Sequence, residues 1–550
     1  MCKVLSILLI TMLITIGSSL YLAVGAEDAV PAKLVGQFDP VFPDRDPSTR
    51  QLVNNKRYFK SYRGQGTMYI RNCGVTAADI YINDKKINTK SVFNKADSSV
   101  VLKINDYTRD GINMLRVENI VLPASVVEKK SAYFELYVSY PELVSDLPER
   151  AGMSQEKLDL IDKLINSEVS KNFPAAQLVI VKNGVIVKNT AYGYVQVWDK
   201  NREIAVKDRV KLTLDDIFDL ASNSKMYATN YAVMKLVAEG KINVDDKVCK
   251  YLSEFIGDGR ENVAVRNLLV HNAGFAPEIF FHKATDKWFS QNAVTTRKLL
   301  MKAPIVYPTG SKTQYSDTDF MLLGLVVEAV TNMPLDKYVE TTIYQPLGLS
   351  HTMYNPLRKG FLPEQCAATE RNGNTRDGRI NFPNVRTYTL RGEVHDEKAF
   401  YAMDGVAGHA GLFSNTNDLA VLMQLMLNNG GYGNYQLCDP ITAGYFTQMA
   451  VTDSCRGLGW LKPGWYTGND MKYCFGPYAS NQAFGHNGWT GTLTVIDPAH
   501  DLAIALLTDC IHSPGLQNDV NGFVHKSPPF ETGLMGSIIA MTYEAEIGRQ

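Results

Sequence analysis

Asp219-Leu220-Ala221-Ser222-Asn223-Ser224-Lys225-Met226-Tyr227-Ala228-Thr229 is the stretch on which the reading of this chain turns. It leads into Met226 to Ala238, apolar nearly all round and closed by Gly240, which predicts a buried helix. Residues three apart share one helix face, so Lys225 is expected beside Ser222. A serine hydroxyl is a weak nucleophile and needs an unprotonated base next to it. Burial disfavours an ammonium, so the Lys225 pKa is expected to fall toward that role. A helix starting near Ser222 would also aim backbone N–H groups at a developing oxyanion. Spacing alone decides little, because Ser154-Gln-Glu-Lys157 repeats it. That copy opens a charged, solvated helix, where Ser154 reads as an N-cap and Lys157 as an ordinary cation.

Two further elements carry chemistry. Pro308-Thr-Gly-Ser-Lys-Thr-Gln-Tyr315-Ser316-Asp317 precedes an apolar helix around Leu322, and a tyrosine at such a junction can face the serine from the opposite wall and move a proton. Phe484-Gly485-His486-Asn487-Gly488-Trp489-Thr490-Gly491 runs into a strand; its glycines let a ligand backbone approach, and His486 supplies a donor or a cation beside it. His409-Ala410-Gly411 has the same His-x-Gly form but precedes Leu412-Phe413-Ser414 and a helix, so His486 is preferred. His395-Asp396-Glu397 with His409 is metal-like in composition only, since no ligating helix spacing accompanies it; a hydrogen-bonded loop is expected, with no metal and no cofactor. His282, His351, His500, His512 and His525 show no partner in the sequence.

Outward from these segments, Gln177 to Val181 and Val185 to Lys188 flank Asn183-Gly184, a hairpin signal. Thr492 to Ile496 and Leu502 to Leu507 pair across Asp497-Pro-Ala-His-Asp501. Strands at both ends with helices between them predict an α/β (α+β) domain, 152–550, whose antiparallel sheet is completed by both its ends and which carries a helical subdomain. Before it, 31–148 is a series of short alternating runs such as Met68-Tyr-Ile-Arg and Tyr133-Phe-Glu-Leu-Tyr-Val, which predicts a small all-β sandwich. None of the 5 tryptophans falls there, so a sugar platform would need tyrosines; a spacer is the simpler reading.

The chain has 550 residues, 45% hydrophobic, with 56 Lys+Arg against 57 Asp+Glu. A net charge of -1 supplies no field to hold phosphate backbones, so nucleic acid is not expected as a partner. Residues 1–26 have one lysine, then an apolar run ending in Val24-Gly25-Ala26, the layout of a cleavable secretory signal, with a retained membrane anchor as the alternative. An exported, periplasmic, secreted or cell-envelope protein follows. Of 8 cysteines Cys2 would leave with the signal, and the other seven show no CxxC pair; Cys455–Cys474 and Cys438–Cys455 are both open as disulfides.

The ordered set Ser222-x-x-Lys225, Tyr315-Ser-Asp317 and His486-Asn-Gly488 resembles the serine β-lactamase and penicillin-binding-protein superfamily, in its class C-like branch. Leu268-Leu-Val-His271-Asn-Ala-Gly274 and Gly405-Val-Ala-Gly408-His-Ala-Gly411 agree with it. The resemblance spans about Gly152 to the end and implies a β-lactamase-like transpeptidase fold. It implies that Ser222 is acylated, Lys225 is its neighbouring base and Tyr315 passes the proton to the leaving amine. It further implies that His486 stands in for a cationic lysine, and that the backbone N–H groups of Ser222 and Trp489 form the oxyanion hole, with Asn487, Gly488 and Asp317 lining the substrate. Asp317 replaces the family's asparagine, so it is expected to orient Lys225. The implied activity is a serine-type D-alanyl-D-alanine carboxypeptidase acting on peptidoglycan peptides and acylated by β-lactam antibiotics. A secreted esterase or weak β-lactamase and an envelope penicillin receptor with little turnover are the alternatives, and cell-wall carbohydrate is a partner to test for the sandwich.

Overall fold

The structure, a computed structural model, describes residues 35–42, 55–95, 97–123, 132–169, 173–200, 202–451, 455–464, 474–512 and 535–548. The expected signal segment and His525 lie outside these. The alternating runs form two four-stranded sheets, one ordered Val41–Phe42, Tyr133–Val138, Thr67–Cys73, Ser98–Lys103 and the other Asn55–Ser61, Gly111–Val121, Ala77–Ile82, Lys85–Lys86. Every second residue points inward, so Phe42, Phe134, Leu136, Ile80, Ile82 and Leu115 meet between the sheets with no exposure above 1%.

The larger domain is built on a six-stranded sheet in the order Phe484–Gly488, Thr492–Asp497, Leu502–Thr508, Ala175–Lys182, Val185–Gly193, Val144–Ser145. All neighbours are antiparallel except the last pair. The first and last parts of the domain therefore meet at the pair Ala176↔Thr508 through Lys182↔Leu502. Gln155–Glu168 and Met535–Glu544 cover one face, burying Leu158, Ile161, Ile538 and Ile539. The helical part covers the other around Met226–Leu236, Phe320–Val327 and Leu419–Leu427. No single helix among the described residues is long and apolar enough to cross a membrane.

Asn183 (φ 51°) and Gly184 (φ 72°) make the expected tight turn. Its tip also meets the sandwich, because a Cβ on Gly184 would lie 2.2 Å from the Tyr62 ring. Tyr62 Oη donates to Asp501 (3.0 Å) and accepts from Gln424 Nε2 (3.0 Å), while Lys60 Nζ bonds Asp501 (2.6 Å) and the Leu427 carbonyl (3.0 Å). Asn428 Nδ2 donates to the Pro141 carbonyl at 2.9 Å, so the connector is pinned as well. The seven cysteines beyond Cys2 are free thiols, which removes both disulfides left open from the sequence.

Candidate active site

Ser222 sits on the turn between Phe218–Asp219, a short strand, and the buried helix. Ala221 adopts φ 47°, a left-handed conformation costly for alanine, and its surroundings hold it there. Its N–H donates to Asp219 Oδ1 (2.8 Å), while Asp219 Oδ2 accepts the His395 N–H (2.6 Å). The turn is fastened to the sheet by three threonines that the sequence did not single out. Thr490 Oγ1 donates to the Asp219 carbonyl (2.7 Å), Thr492 Oγ1 to the Leu220 carbonyl (2.9 Å), and Thr494 Oγ1 to Asn223 Oδ1 (3.0 Å). A glycine is required at 488, where a Cβ would stand 2.2 Å from Thr492 Oγ1 and 2.4 Å from the Leu220 carbonyl. The strand Phe484–Gly488 thus lies directly against the nucleophile turn, at the edge of the sheet. Leu461 caps that edge only at Gly485 (3.0 and 3.1 Å), which places Asn487 beyond the cap.

The buried helix opens with a wide π turn, Lys225–Asn230, before Tyr231–Ala238 continues as α-helix. Lys225 is fully buried, and its ammonium reaches three acceptors: Ser222 Oγ (3.0 Å), Asp317 Oδ1 (2.9 Å) and the His409 carbonyl (3.1 Å). Three donors meet three acceptors. The expected fall in the Lys225 pKa does not occur: burial pulls it down, but Asp317 and Tyr315 outweigh that and raise it. At rest Lys225 is a paired cation.

Tyr315 Oη donates to Ser222 Oγ at 2.9 Å, and the Lys225 ammonium lies 4.9 Å from the centre of its ring, so the three groups are mutual neighbours. Its ring rests on His271, with centroids 4.6 Å apart, and the Arg456 guanidinium carbon lies 5.7 Å from its centre. His271 Nδ1 faces Asp319 Oδ2 at 2.8 Å, both buried, and the Ser316 N–H points at the same nitrogen (3.3 Å). Burial pushes the Asp319 carboxyl well up and the imidazole well down, and the Ser316 N–H makes His271 Nδ1 an acceptor.

His486, 6.2 Å from the Tyr315 ring between centroids, is also buried. Burial first, then the charge of Lys225, bring its pKa down to about 3. Its Nδ1–H donates to the Asn487 carbonyl (2.7 Å), and Nε2 has no partner among the described residues. His486 is therefore a neutral ring that donates through Nδ1 and offers an acceptor at Nε2, which corrects its reading as a cation. Trp489 follows at the tip of the hairpin that Thr490 and Thr492 tie to the nucleophile turn.

Asp317 begins the helix Asp317–Thr331, and its second oxygen meets Lys398 Nζ at 3.0 Å. Lys398 also approaches Asp396 (3.4 Å) and Glu278 (3.7 Å), and Asp396 Oδ1 meets His409 Nε2 at 2.9 Å. His409 is brought here by glycine: a Cβ on Gly408 would stand 2.0 Å from the Phe320 carbonyl, so the loop lies flat on the Asp317–Thr331 helix. Asp317, Asp396 and His409 gather ligand atoms within 4.8 Å, a metal-like set. The Lys398 ammonium already faces both carboxylates, so the set does not fit a divalent ion. Lys398, Asp396, His271 and the His409 carbonyl lay outside the sequence-level site, because none shares a short spacing with Ser222. The decoy behaves as expected: Ser154 Oγ caps its helix (3.4 Å to Lys157 N–H) and Lys157 reaches the Glu544 carbonyl at the surface (2.5 Å).

The beta-lactamase family profile matches residues 153–525. A Bacillus subtilis (strain 168) protein named N-acetylmuramyl-L-alanine amidase is 48% identical over 72% of this chain and 91% of its own. A Salmonella newport protein, "Putative D-alanyl-D-alanine carboxypeptidase", is 47% identical over 74% of this chain and 95% of its own. Among solved structures, unliganded simvastatin synthase (LovD) from Aspergillus terreus shares the fold with a TM-score of 0.51 at 16% identity, over 71% of this chain and 99% of its own.

Proposed function

The chain belongs to the beta-lactamase family and is a serine hydrolase of its penicillin-binding-protein kind, and on that premise we propose that it cleaves D-alanyl-D-alanine peptides of peptidoglycan through an acyl-enzyme on Ser222. The observation that carries the reading is Ser222 Oγ flanked by Lys225 Nζ at 3.0 Å and Tyr315 Oη at 2.9 Å. Attack requires the Lys225–Tyr315 pair to have given up one proton, so that it can take the one from Oγ. Asp317 and the His409 carbonyl keep Lys225 charged and aimed. Tyr315, beside both Oγ and Lys225, hands the proton to the leaving nitrogen. The N–H groups of Ser222 and Trp489 receive the oxyanion, and the edge beside Asn487 and Gly488 takes the substrate backbone. Water then hydrolyses the ester and restores Ser222. The same pocket would be acylated by penicillins.

A second reading concerns which amide is cut. A neutral, buried His486 gives a terminal carboxylate no cation at the place where the family's lysine stands. That favours an internal amide such as the muramyl–L-alanine bond, in line with the name of the Bacillus relative. Location in the cell envelope and glycan contact through the sandwich belong to the same proposal; Tyr58, 61% exposed, is the sandwich tyrosine best placed to stack on a sugar. The test uses the protein lacking residues 1–26. A fluorescent penicillin should label Ser222 by peptide mapping, and a muramyl pentapeptide should release D-alanine. Release of the intact peptide from muramic acid instead would select the second reading. Rapid nitrophenyl-ester turnover with neither product would make it an esterase, and labelling without turnover a receptor.

A further inference from the structure

Five residues close a ring of contacts behind the nucleophile. Lys225 Nζ bonds Asp317 Oδ1 (2.9 Å), Asp317 Oδ2 meets Lys398 Nζ (3.0 Å), and Lys398 Nζ approaches Asp396 Oδ2 (3.4 Å). Asp396 Oδ1 meets His409 Nε2 (2.9 Å), and the His409 carbonyl returns to Lys225 Nζ (3.1 Å). Lys398 is 4% exposed, and Lys225 is not exposed at all. A carboxylate at 317 beside a single buried ammonium would pin its proton, because in a poorly solvated site the pair is held by a charge attraction that water does not screen. Here that carboxylate is shared: one oxygen serves the lysine that touches Ser222, and the other serves a lysine that touches no reacting atom.

We propose that Lys398 is a positioning residue: by holding the outer oxygen of Asp317 it fixes the inner one on Lys225 and offsets its charge, so that the Lys225–Tyr315 pair can release the proton that attack by Ser222 requires. This rests on the reading of Ser222 as the acylated nucleophile. The groups that set the balance come from every side. Asp396, Glu278 and Glu397 face Lys398, while Tyr315, Asp317, Asp319, His271 and His486 surround Lys225. Lys398 itself stays charged, since its carboxylate neighbours outweigh burial and hold its pKa well above the ordinary value.

The test is a pair of substitutions, K398M and D317N, made singly and together in the whole protein, with nitrophenyl acetate as probe from pH 5 to 9. K398M should move the acid limb of the rate profile up by about one pH unit, about tenfold less rate on that limb. In the D317N background K398M should change the same limb less than threefold, because an amide needs no second cation. K398R should stay within threefold of wild type. Equal effects of K398M in both backgrounds, or none in either, would overturn the proposal. Melting temperature supplies a readout independent of turnover: K398M should lower it more when Asp317 is present than in D317N, and equal losses would again count against the pairing. Wild-type protein that fails to label at Ser222 would remove the functional reading, and the melting comparison would still decide whether Lys398 supports Asp317.

Discussion

Replacing Lys225 by methionine separates what this side chain does for the fold from what it does for chemistry. The substitution takes a donor from Ser222 Oγ, from Asp317 Oδ1 and from the His409 carbonyl. Breaking a buried ion pair and stranding its partner costs about 3–5 kcal/mol. Asp317 is not stranded, because Lys398 remains at 3.0 Å on its other oxygen. What is lost is one charge-assisted hydrogen bond and one carbonyl partner, about 1.5–3 and 1 kcal/mol, partly returned by an apolar chain in a fully buried slot. The net cost is about 1–3 kcal/mol, and the protein stays folded. Because the Lys225 pKa is raised in the fold, its contribution is complete below the ordinary lysine value of about 10.4 and fades only as pH climbs through the raised one. The deficit should therefore be flat from pH 6 to 9. Acylation should fall by about 10²–10⁴, the range of a positioned proton-transfer group. The assay is stopped-flow labelling with fluorescent penicillin beside circular dichroism melts. Labelling within tenfold of wild type would refute the role of Lys225, and a protein that no longer folds would refute the shielding of Asp317 by Lys398.

Tyr315→Phe keeps the ring against His271 but removes the hydroxyl on Oγ, so labelling should slow about 10²–10³-fold with an unchanged melting temperature; an unchanged rate would leave the leaving-group proton to another residue. Gly488→Ala should push the hairpin off the Leu220 carbonyl and cost about 1–3 kcal/mol, with labelling of Ser222 lost; normal labelling would mean the hairpin does not shape the turn. His512 is held neutral, with Nδ1–H donating to the Thr369 carbonyl (2.8 Å) and Nε2 accepting from the Trp198 N–H (3.0 Å). Burial lowers its pKa to about 3, so its contribution is complete above the ordinary value of about 6.5 and is lost as pH falls toward 3. Melts from pH 7 to 4 should fall more steeply for wild type than for His512→Asn, and parallel curves would show that another group carries the acid sensitivity.

Local patterns announced much of this. Ser222 and Lys225 share a helical turn, Asn183-Gly184 has the backbone freedom of a hairpin, and the alternation in Tyr133–Val138 matches a sheet buried on one face. Tyr315 and His486 are legible as motifs, Tyr315 just before a helix and His486 between two glycines that lead into a strand. What stayed hidden depends on charges far apart in the chain. Lys225 was expected to lose its proton because burial can be read from neighbours along a helix, whereas Asp317 is 92 positions away. Lys398 lies in the short helix Glu397–Met403, where nothing local marks it as a partner of Ser222, yet it is buried among carboxylates from three segments. His486 looked cationic for the same reason: its own motif is polar, and the surroundings that dry it are not adjacent to it.

The Asn183-Gly184 turn pressed onto Tyr62, with Lys60 and Tyr62 both anchored at Asp501, makes the front lobe a fixed bracket and not a tethered one. Under the proposed glycan contact, the lobe would offer its polymer to Ser222 at one reach and one tilt. On that proposal, products released from insoluble peptidoglycan should show a regular spacing that short soluble fragments lack.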